Sequence, residues 1–399
     1  MKIAIHCADL DHKRIDGTRV YLYNMLKNFG ILDKKDVFEI YHRSDFNPRL
    51  TPPTFSNYAV KKLSFPFLWT QTCFAWKLLF DKPDVLWMAV HNAPIVRRKN
   101  LKVVVTIHDL AFKIFPQYFP KKDLTKLNIL SDLAIKNADR IIAVSQSTKK
   151  DILKFYPQVS SEKITVIHHG FDTQLFQNKV SQEELEKVLA TYNLYPVKSD
   201  EVGAKQFNGV KPKTYLLYVG AIQPRKNLGV LIEAFEKIKI NNPELKLVFA
   251  GAPAWQYEDT LEKISQSKFS GDIIVTGTIP FSDLPVLYQN AAAFVFPSLY
   301  EGFGIPVLEA FASGTPVILA NNSSLPEVGG EAALYFETES SDNLAGCLER
   351  VLTDKDLSAT MIQKGKSRAA NFSWEKCAQI TLNSIRKTQG YSSEEKMIS

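Results

Sequence analysis

Two glutamates lie eight positions apart in a segment that runs from an apolar strand through a glycine-containing loop into a helix. Glu301 and Gly302 begin the loop, Gly304 ends it, and Glu309 lies about one turn into the helix that starts near Pro306. Carboxylates accept hydrogen bonds from paired sugar hydroxyls, and a glycine loop at a helix N-terminus exposes amides to an anion. The spacing therefore favours a sugar- and phosphate-binding site over the alternative, two solubilising glutamates and a plain turn.

Two cations, Arg225 and Lys226, lie between an apolar strand, Tyr215–Val219, and a helical pattern, Leu228–Ile240. This position places them at the carboxyl edge of a parallel sheet, beside a helix N-terminus. Cations there can neutralise a diphosphate, most of all as it departs. Two ordinary surface cations are the alternative, and the position favours a phosphate site.

His108 directly follows the strongest apolar strand of the first half, Lys102–Ile107. A histidine at the carboxyl end of a strand can donate or accept a hydrogen bond in a ligand site. A structural histidine bonded to a carbonyl is the alternative, and the residue pattern alone favours it. His91 ends another strand and could line an acceptor site. The remaining histidines are interpreted as structural: His6, His12, His42, His168 and His169.

Strand-like and helix-like segments alternate along the chain, which predicts parallel sheets covered by helices on both faces. The alternation stops in the polar segment 196–213, which we interpret as a linker, and restarts at 214. The predicted fold is α/β, with two doubly wound Rossmann-like domains, 1–195 and 214–372, facing one cleft. The segment 373–399 is expected to form a helix that packs back toward the first domain, followed by a frayed tail.

The composition is that of an ordinary globular protein: 399 residues, 45% hydrophobic and 23% charged. No apolar run approaches the roughly 20 residues of a membrane span, and the N-terminal segment reads as a β-strand rather than a signal peptide. A cytoplasmic protein is expected. The four cysteines are too scattered for a zinc site or a disulfide framework: Cys7, Cys73, Cys347 and Cys377.

The net charge of +7 is unevenly distributed along the chain. Residues 1–195 hold 29 Lys and Arg against 19 Asp and Glu, a net +10, whereas residues 196–399 hold 20 against 23, a net −3. A basic first half indicates an anionic partner, such as a phosphorylated acceptor, an acidic membrane surface or nucleic acid. A solvated basic face without a partner is an equal alternative on charge alone.

Over nearly its whole length the sequence resembles the retaining nucleotide-sugar glycosyltransferases of family four, which have two Rossmann-like domains in the GT-B arrangement. The hallmark of that family is a glutamate, seven residues and a second glutamate, which Glu301 and Glu309 match. Further segments resemble family landmarks in the same order along the chain: Thr106–Leu110, Asn137–Ser147, Ile167–Asp172, Tyr218–Asn227, Ser324–Val328 and Phe372–Trp374.

The resemblance implies a role for each candidate residue. Glu301 would hold donor-sugar hydroxyls, Glu309 the ribose, and Arg225 with Lys226 the departing diphosphate. His108 would lie near the donor sugar in the closed cleft. Other donor-binding contacts are implied for the loop glycines, for backbone amides and for the end of a strand facing the nucleobase: Gly17, Gly220, Phe303, Gly304, Ile305, Gly277 and Thr278.

The sequence departs from the family pattern at two positions. Many members carry an arginine directly after the glycine equivalent to Gly220, where this chain has Ala221, so we infer that Arg225 takes over more of that role. The loop that begins with Gly17 has one glycine where two or three are usual. An Asp9-x-Asp11 pair resembles the metal site of a different, single-domain glycosyltransferase architecture, but we interpret it as a solvated loop.

The expected function is transfer of a sugar from a nucleoside diphosphate to a glycan or lipid-linked acceptor, with retention of configuration, in polysaccharide biosynthesis. Mannose on GDP is the first choice of donor. We expect no cofactor, no divalent metal, no nucleic acid, an anionic acceptor, and peripheral contact with the inner face of an anionic plasma membrane. A sugar-nucleotide epimerase on the same fold and a basic nucleic-acid-binding protein remain as alternatives.

Overall fold

The computed structural model describes residues 1–65, 67–194 and 214–390, which form two compact units. The first unit comprises Met1–Gly170 together with the residues from Phe372 onward, and the second comprises Phe171–Asn371. The chain therefore leaves the first unit, builds the second, and returns.

Each unit contains one parallel sheet, as the apolar strand pattern predicts. The described residues give seven strands in the order β3-β2-β1-β4-β5-β6-β7 in the first unit and six in the order β10-β9-β8-β11-β12-β13 in the second. Strand order reverses between β1 and β4 and between β8 and β11. The strands are β1 (Lys2–His6), β2 (Val37–His42), β3 (Tyr58–Lys62), β4 (Val85–Met88), β5 (Lys102–Ile107), β6 (Arg140–Ala143), β7 (Ile164–Val166), β8 (Tyr215–Val219), β9 (Lys246–Ala250), β10 (Ile273–Val275), β11 (Ala293–Phe296), β12 (Val317–Ala320) and β13 (Ala333–Phe336).

Helices connect the strands and cover both faces of each sheet, so strands such as β4, β8 and β11 are buried throughout. The helices are α1 (Gly17–Leu32), α2 (Ala75–Asp81), α3 (Ala111–Ile114), α4 (Lys121–Asn137), α5 (Gln146–Phe155), α6 (Thr173–Gln177), α7 (Gln182–Thr191), α8 (Leu228–Lys239), α9 (Glu258–Gln266), α10 (Leu284–Asn290), α11 (Ile305–Ala312), α12 (Leu325–Gly329), α13 (Ser341–Thr353), α14 (Lys355–Ala369) and α15 (Trp374–Lys387).

The chain crosses to the second unit at Gly170–Phe171, whereas the sequence places the end of the first domain at residue 195. The difference arises because α6 and α7 bury their apolar faces on the second unit. The ring of Phe176 lies 5.7 Å from those of Phe281 and Tyr288, and the Tyr192 hydroxyl donates to Asp283 Oδ2 at 3.1 Å. The predicted linker 196–213 lies outside the described residues.

Helix α15 packs along α1 in the first unit. The Trp374 ring lies 6.1 Å from that of Tyr21, and the Arg386 guanidinium is bonded to Asp33 and Asp36. The two chain crossings are adjacent, because a Cβ on Gly170 would lie 2.1 Å from the backbone nitrogen of Trp374. Glycine is therefore required at residue 170.

None of the helices in the described ranges combines the length and the apolar character of a membrane span.

Candidate functional site

The carboxyl ends of β8 and β11 bring the two charged segments of the sequence together. These strands are neighbours at the point where strand order reverses, and ligands of parallel sheets bind beyond such a point. Arg225 and Lys226 follow β8, Glu301 follows β11, and their side chains are in contact.

The loop after β8 is tied to the loop after β11 by hydrogen bonds. Asn227, with a left-handed backbone (φ 53°), donates through Nδ2 to the carbonyls of Pro297 (3.2 Å) and Thr338 (2.8 Å). The Leu299 amide donates to the Arg225 carbonyl at 2.9 Å. Sequence analysis identified Asn227 only as the last residue of a family landmark, although asparagine tolerates this conformation and its place directly after the two cations was a signal of its role.

The Glu301 carboxylate lies between the two cations. Lys226 Nζ donates to Oε1 at 2.5 Å, and Arg225 Nη1 lies 3.4 Å from Oε2 while also donating to the Tyr300 carbonyl. Glu301 is only 8% exposed and Lys226 only 9%. The cluster carries two positive charges and one negative, which leaves a net positive site.

Glu301 is ionised throughout the physiological range. Burial by itself raises the pKa of this carboxyl, but the charges of Lys226 and Arg225 outweigh burial and lower the pKa to about 2. A permanently ionised carboxylate accepts hydrogen bonds and cannot serve as a general acid near neutral pH.

Two serines fix the backbone of the Glu301 loop. The Glu301 amide donates to Ser323 Oγ at 3.0 Å, and Ser324 Oγ lies within hydrogen-bond distance of the carbonyls of Glu301 (2.9 Å) and Phe303 (2.8 Å). Sequence analysis identified Ser324 only as part of a family landmark and missed Ser323. Their function depends on contacts more than 20 residues away, which no local pattern reveals.

Glu309 of α11 forms a hydrogen bond that is separate from the Glu301 cluster. The Tyr288 hydroxyl of α10 donates to Glu309 Oε2 at 2.9 Å, and the carboxyl is buried. Burial raises the pKa of Glu309 to about 7, although the hydrogen bond from Tyr288 opposes the shift. The ribose contact assigned to Glu309 stays a prediction, and Tyr288 is a neighbour that the sequence did not identify.

The backbone around Gly220 is packed against the next strand–helix loop. A Cβ on Gly251 would lie 2.0 Å from the Gly220 carbonyl oxygen, and Ile222 pairs with Pro253. Glycine at 251 therefore allows the loop that leads to Arg225 to cross close to its neighbour.

Two further groups of predicted donor contacts lie at the N-terminus of α11 and after β10. The amides of Phe303, Gly304 and Ile305 are at the N-terminus of α11, next to Glu301 in the chain. Gly277 and Thr278 follow β10, the edge strand two places from β8. Their contact with a nucleobase stays a prediction.

His108 is bonded within the first unit through both ring nitrogens. Its Nε2–H donates to the Ala89 carbonyl at 2.8 Å, which leaves Nδ1, 3.3 Å from His169 Nε2, as the acceptor. Burial lowers the pKa of His108 and that of His169 further, so both rings are neutral at pH 7. Its position near a donor sugar stays a prediction. His91 is also neutral, because burial lowers its pKa to about 4.

The loop after β1 differs in part from the expected solvated loop. The side chain of Asp11 is buried, with Oδ2 accepting from the amides of Arg43 (2.8 Å) and Ser44 (2.7 Å). It thereby ties this loop to the end of β2, because two backbone donors there need an acceptor. Gly17 begins α1 after the cap Asp16, and a Cβ on Gly17 would meet nothing within 4 Å.

Two family profiles match the chain. Residues 16–175 match the family described as Glycosyltransferase Family 4, and residues 201–368 match Glycosyl transferases group 1. Together the two matches cover most of both structural units.

Among curated proteins, the chain is similar to the O-antigen chain mannosyltransferase B of Escherichia coli, with 25% identity over 93% of this chain and 96% of that protein. It is also similar to the O-antigen chain mannosyltransferase RfbU of Salmonella typhimurium, with 27% identity over 68% of this chain and 66% of that protein. Among solved structures, Anabaena Alr3699/HepE in complex with UDP and glucose has a TM-score of 0.71 and 18% identity, covering 97% of this chain and 99% of that one. The last likeness supports the fold alone.

Proposed function

Because the chain belongs to the two-domain glycosyltransferases that carry a family 4 and a group 1 domain, we propose that it transfers mannose from GDP-mannose to a glycan or lipid-linked acceptor. The observation that carries the proposal is Glu301, held ionised between Lys226 and Arg225 at the reversal point of the second sheet. The choice of mannose is supported by the mannosyltransferase relative that matches nearly the whole chain.

In this proposal Arg225 and Lys226 neutralise the diphosphate of the donor as its bond to the sugar breaks. Arg225 takes the role that many family members give to an arginine at the position of Ala221. Its contacts with the Glu301 loop support this assignment. Glu301 accepts hydrogen bonds from donor-sugar hydroxyls. The departing diphosphate takes the acceptor proton, so that transfer proceeds with retention and needs no protein base.

The remaining contacts complete the donor site. The amides of Phe303, Gly304 and Ile305, at the positive end of α11, face the phosphates. Glu309 holds the ribose, and Gly277 with Thr278 lines the nucleobase.

The donor is identified by a thermal-shift and transfer screen against GDP-mannose and UDP-, ADP- and dTDP-sugars. A ligand that binds only the folded state raises its stability in proportion to the logarithm of its concentration over Kd. We expect GDP-mannose to give the largest shift and the fastest transfer. A larger shift and faster transfer with a uridine or adenosine donor would reject the assignment of the base.

Catalysis is expected to proceed without a divalent metal, since Arg225 and Lys226 supply the positive charge at the diphosphate. The rate measured in EDTA should stay within a few-fold of the rate in magnesium. A complete loss that magnesium restores would contradict the proposed role of the two cations.

The acceptor is proposed to be anionic and presented at an anionic membrane surface, without involvement of nucleic acid. The same division of charge holds over the two units of the structure. The first unit holds 31 Lys and Arg against 18 Asp and Glu, a net +13, and the second unit holds 18 against 24, a net −6. Charge attraction therefore acts on the first unit and weakens with salt, since exposed charges are screened over about 10 Å at 0.1 M.

A further inference from the structure

Five large apolar side chains of the first unit are exposed: three lie close together in the chain and two lie on α2. We call them the aromatic patch: Phe65 (42% exposed), Phe67 (67%), Leu68 (58%), Trp76 (63%) and Phe80 (69%). From sequence, burial in the core is the favoured interpretation of the segment from Phe65 to Trp69, and insertion into a membrane interface is the alternative. The favoured interpretation holds only for Trp69, which is 5% exposed; Pro66 lies outside the described residues.

The patch is held outward by the buried residues beside it. The Trp69 indole N–H donates to the Leu63 carbonyl at 2.6 Å, and Phe74, Ala75 and Leu78 pack inward. Since Trp69 and the inner face of α2 fill the core, the neighbouring Leu68 and the outer face of α2 are left at the surface.

The outer face of α2 forms one wall of an apolar groove. Trp76 and Phe80 lie one helical turn apart with their rings 6.0 Å apart and nearly parallel. The opposite wall is the segment that follows β3, with Leu63 and Phe65, and the groove has a volume of about 440 Å³. An exposed apolar feature of this kind marks an interaction surface rather than scattered surface residues.

Lysines flank the aromatic patch along the chain. Residues 58–82 contain four lysines and one acidic residue, Asp81, which is bonded to Lys61 (2.7 Å) and Lys77 (2.8 Å). Two of these lysines also pair with acidic residues outside the segment, Lys61 with Glu39 and Lys62 with Asp45, each at 2.7 Å. The segment therefore has a net charge of +3.

A basic loop with two more exposed apolar residues adjoins the patch. The Gln71 side chain bonds to the Ala93 carbonyl (3.1 Å) and to the Ile95 amide (2.9 Å), which fixes this loop beside the helical turn leading into α2. Ile95 and Val96 are 60% and 63% exposed, and Arg97, Arg98 and Lys99 follow directly.

We propose that the aromatic patch is a membrane-docking surface, which inserts its rings into the headgroup region of an anionic bilayer. Tryptophan and phenylalanine favour that depth, and the surrounding lysines and arginines attract anionic lipids. A second copy of the chain would bring the same positive charge to the interface, which disfavours self-association. The inference rests on the proposed function only for the presence of a lipid-linked acceptor.

The first test is flotation with vesicles of phosphatidylcholine alone and of phosphatidylcholine with 30% phosphatidylglycerol. We expect the wild-type protein to bind only the anionic vesicles, and the double variant Trp76→Ala/Phe80→Ala to bind them at least ten-fold less. Ile240→Ala, which removes an equally exposed aliphatic residue (74%) from the second unit, is the matched control and should bind as the wild type does. Equal binding by the double variant and the wild type, or no binding by either, would overturn the proposal.

A second measurement locates the contact. Lipids brominated near the headgroup should quench the tryptophan fluorescence of the wild type and not that of Trp76→Phe, because Trp69, Trp87 and Trp374 are buried and the half-buried Trp255 belongs to the second unit. Undiminished quenching in Trp76→Phe would place the contact elsewhere. A wild-type dimer that the double variant dissociates, without vesicle binding, would assign the patch to self-association instead.

Activity separates this inference from the proposed function. The double variant should keep the wild-type transfer rate on a soluble acceptor and lose rate only on a lipid-linked acceptor in vesicles. Vesicle binding that depends on Trp76 and Phe80 in a protein with no mannosyl transfer would reject the proposed function and keep the docking surface. Full transfer with no vesicle binding would reject the docking surface and keep the proposed function.

Discussion

Glu301 forms ion pairs with Lys226 and Arg225, and we propose that it also accepts hydrogen bonds from the donor sugar. Glu301→Gln keeps the shape and removes the charge, so we expect transfer to fall at least 100-fold, equivalent to about 3 kcal/mol of transition-state stabilisation. Turnover of the best donor measures the effect, with circular dichroism to verify the fold. Glu262→Gln, an exposed position on α9, is the control, and near-normal turnover by folded Glu301→Gln would rule out the assigned role.

Glu309 makes folding stability depend on pH in the opposite sense to Glu301. Its pKa rises from 4.5 to about 7 on folding, so ionisation opposes the folded state increasingly between pH 4.5 and about 7. Glu309→Gln removes this cost, which reaches about 3 kcal/mol at 1.36 kcal/mol per pH unit. Urea unfolding should find the variant gaining stability relative to the wild type between pH 5 and pH 8. A difference that is constant with pH would mean that Glu309 titrates normally.

At the scale of elements, the position of Arg225 depends on the close packing of its loop against the loop that contains Gly251. Gly251→Ala places a methyl group 2.0 Å from the Gly220 carbonyl, so the loop carrying Arg225 has to move. We expect a higher KM for the donor and a lower melting temperature. Gly271→Ala, where a Cβ meets nothing within 4 Å, should change neither quantity. Equal kinetics in the two variants would show that the loop tolerates displacement.

The sequence predicts elements well where local pattern determines them. Buried parallel strands such as β5 and β8 are nearly continuous apolar runs, and their bounds agree with prediction. Strand β13 was missed because only its end residues, Ala333 and Phe336, are buried, so it lacks the pattern of a fully buried strand. The placement of α6 and α7 on the second unit was missed because an apolar face does not identify the surface that covers it.

The same distinction applies to the site. Arg225, Lys226 and Glu301 were predicted because charges in loops at strand ends converge by topology. Tyr288 and Ser323 were not predicted, because their hydrogen bonds join residues 21 and 22 positions apart through tertiary packing. The exposure of Phe67 was only the alternative interpretation of its segment, since an apolar run favours burial and does not show which of its residues stay outside the core.

At the scale of the whole molecule, α15 completes the first unit from the far end of the sequence. Trp374 is 7% exposed and packs on Tyr21 and His169, and removing a buried aromatic side chain costs about 3–5 kcal/mol. We expect Trp374→Ala to accelerate hydrogen exchange in α1 and β1 and to leave β8 and β11 unchanged. The exposed Trp76→Ala is the control, and acceleration confined to the second unit would contradict this packing.

The return of the chain at Phe372 also bears on the order of events during synthesis. The second unit is one uninterrupted stretch, Phe171–Asn371, whereas the first lacks α15 until that entire stretch has been translated. At about 5–20 residues per second, the apolar face of α1 waits at least about ten seconds for its partner. The nascent first unit therefore exposes that face, where holdase chaperones can bind it, for as long as the second unit is being synthesised.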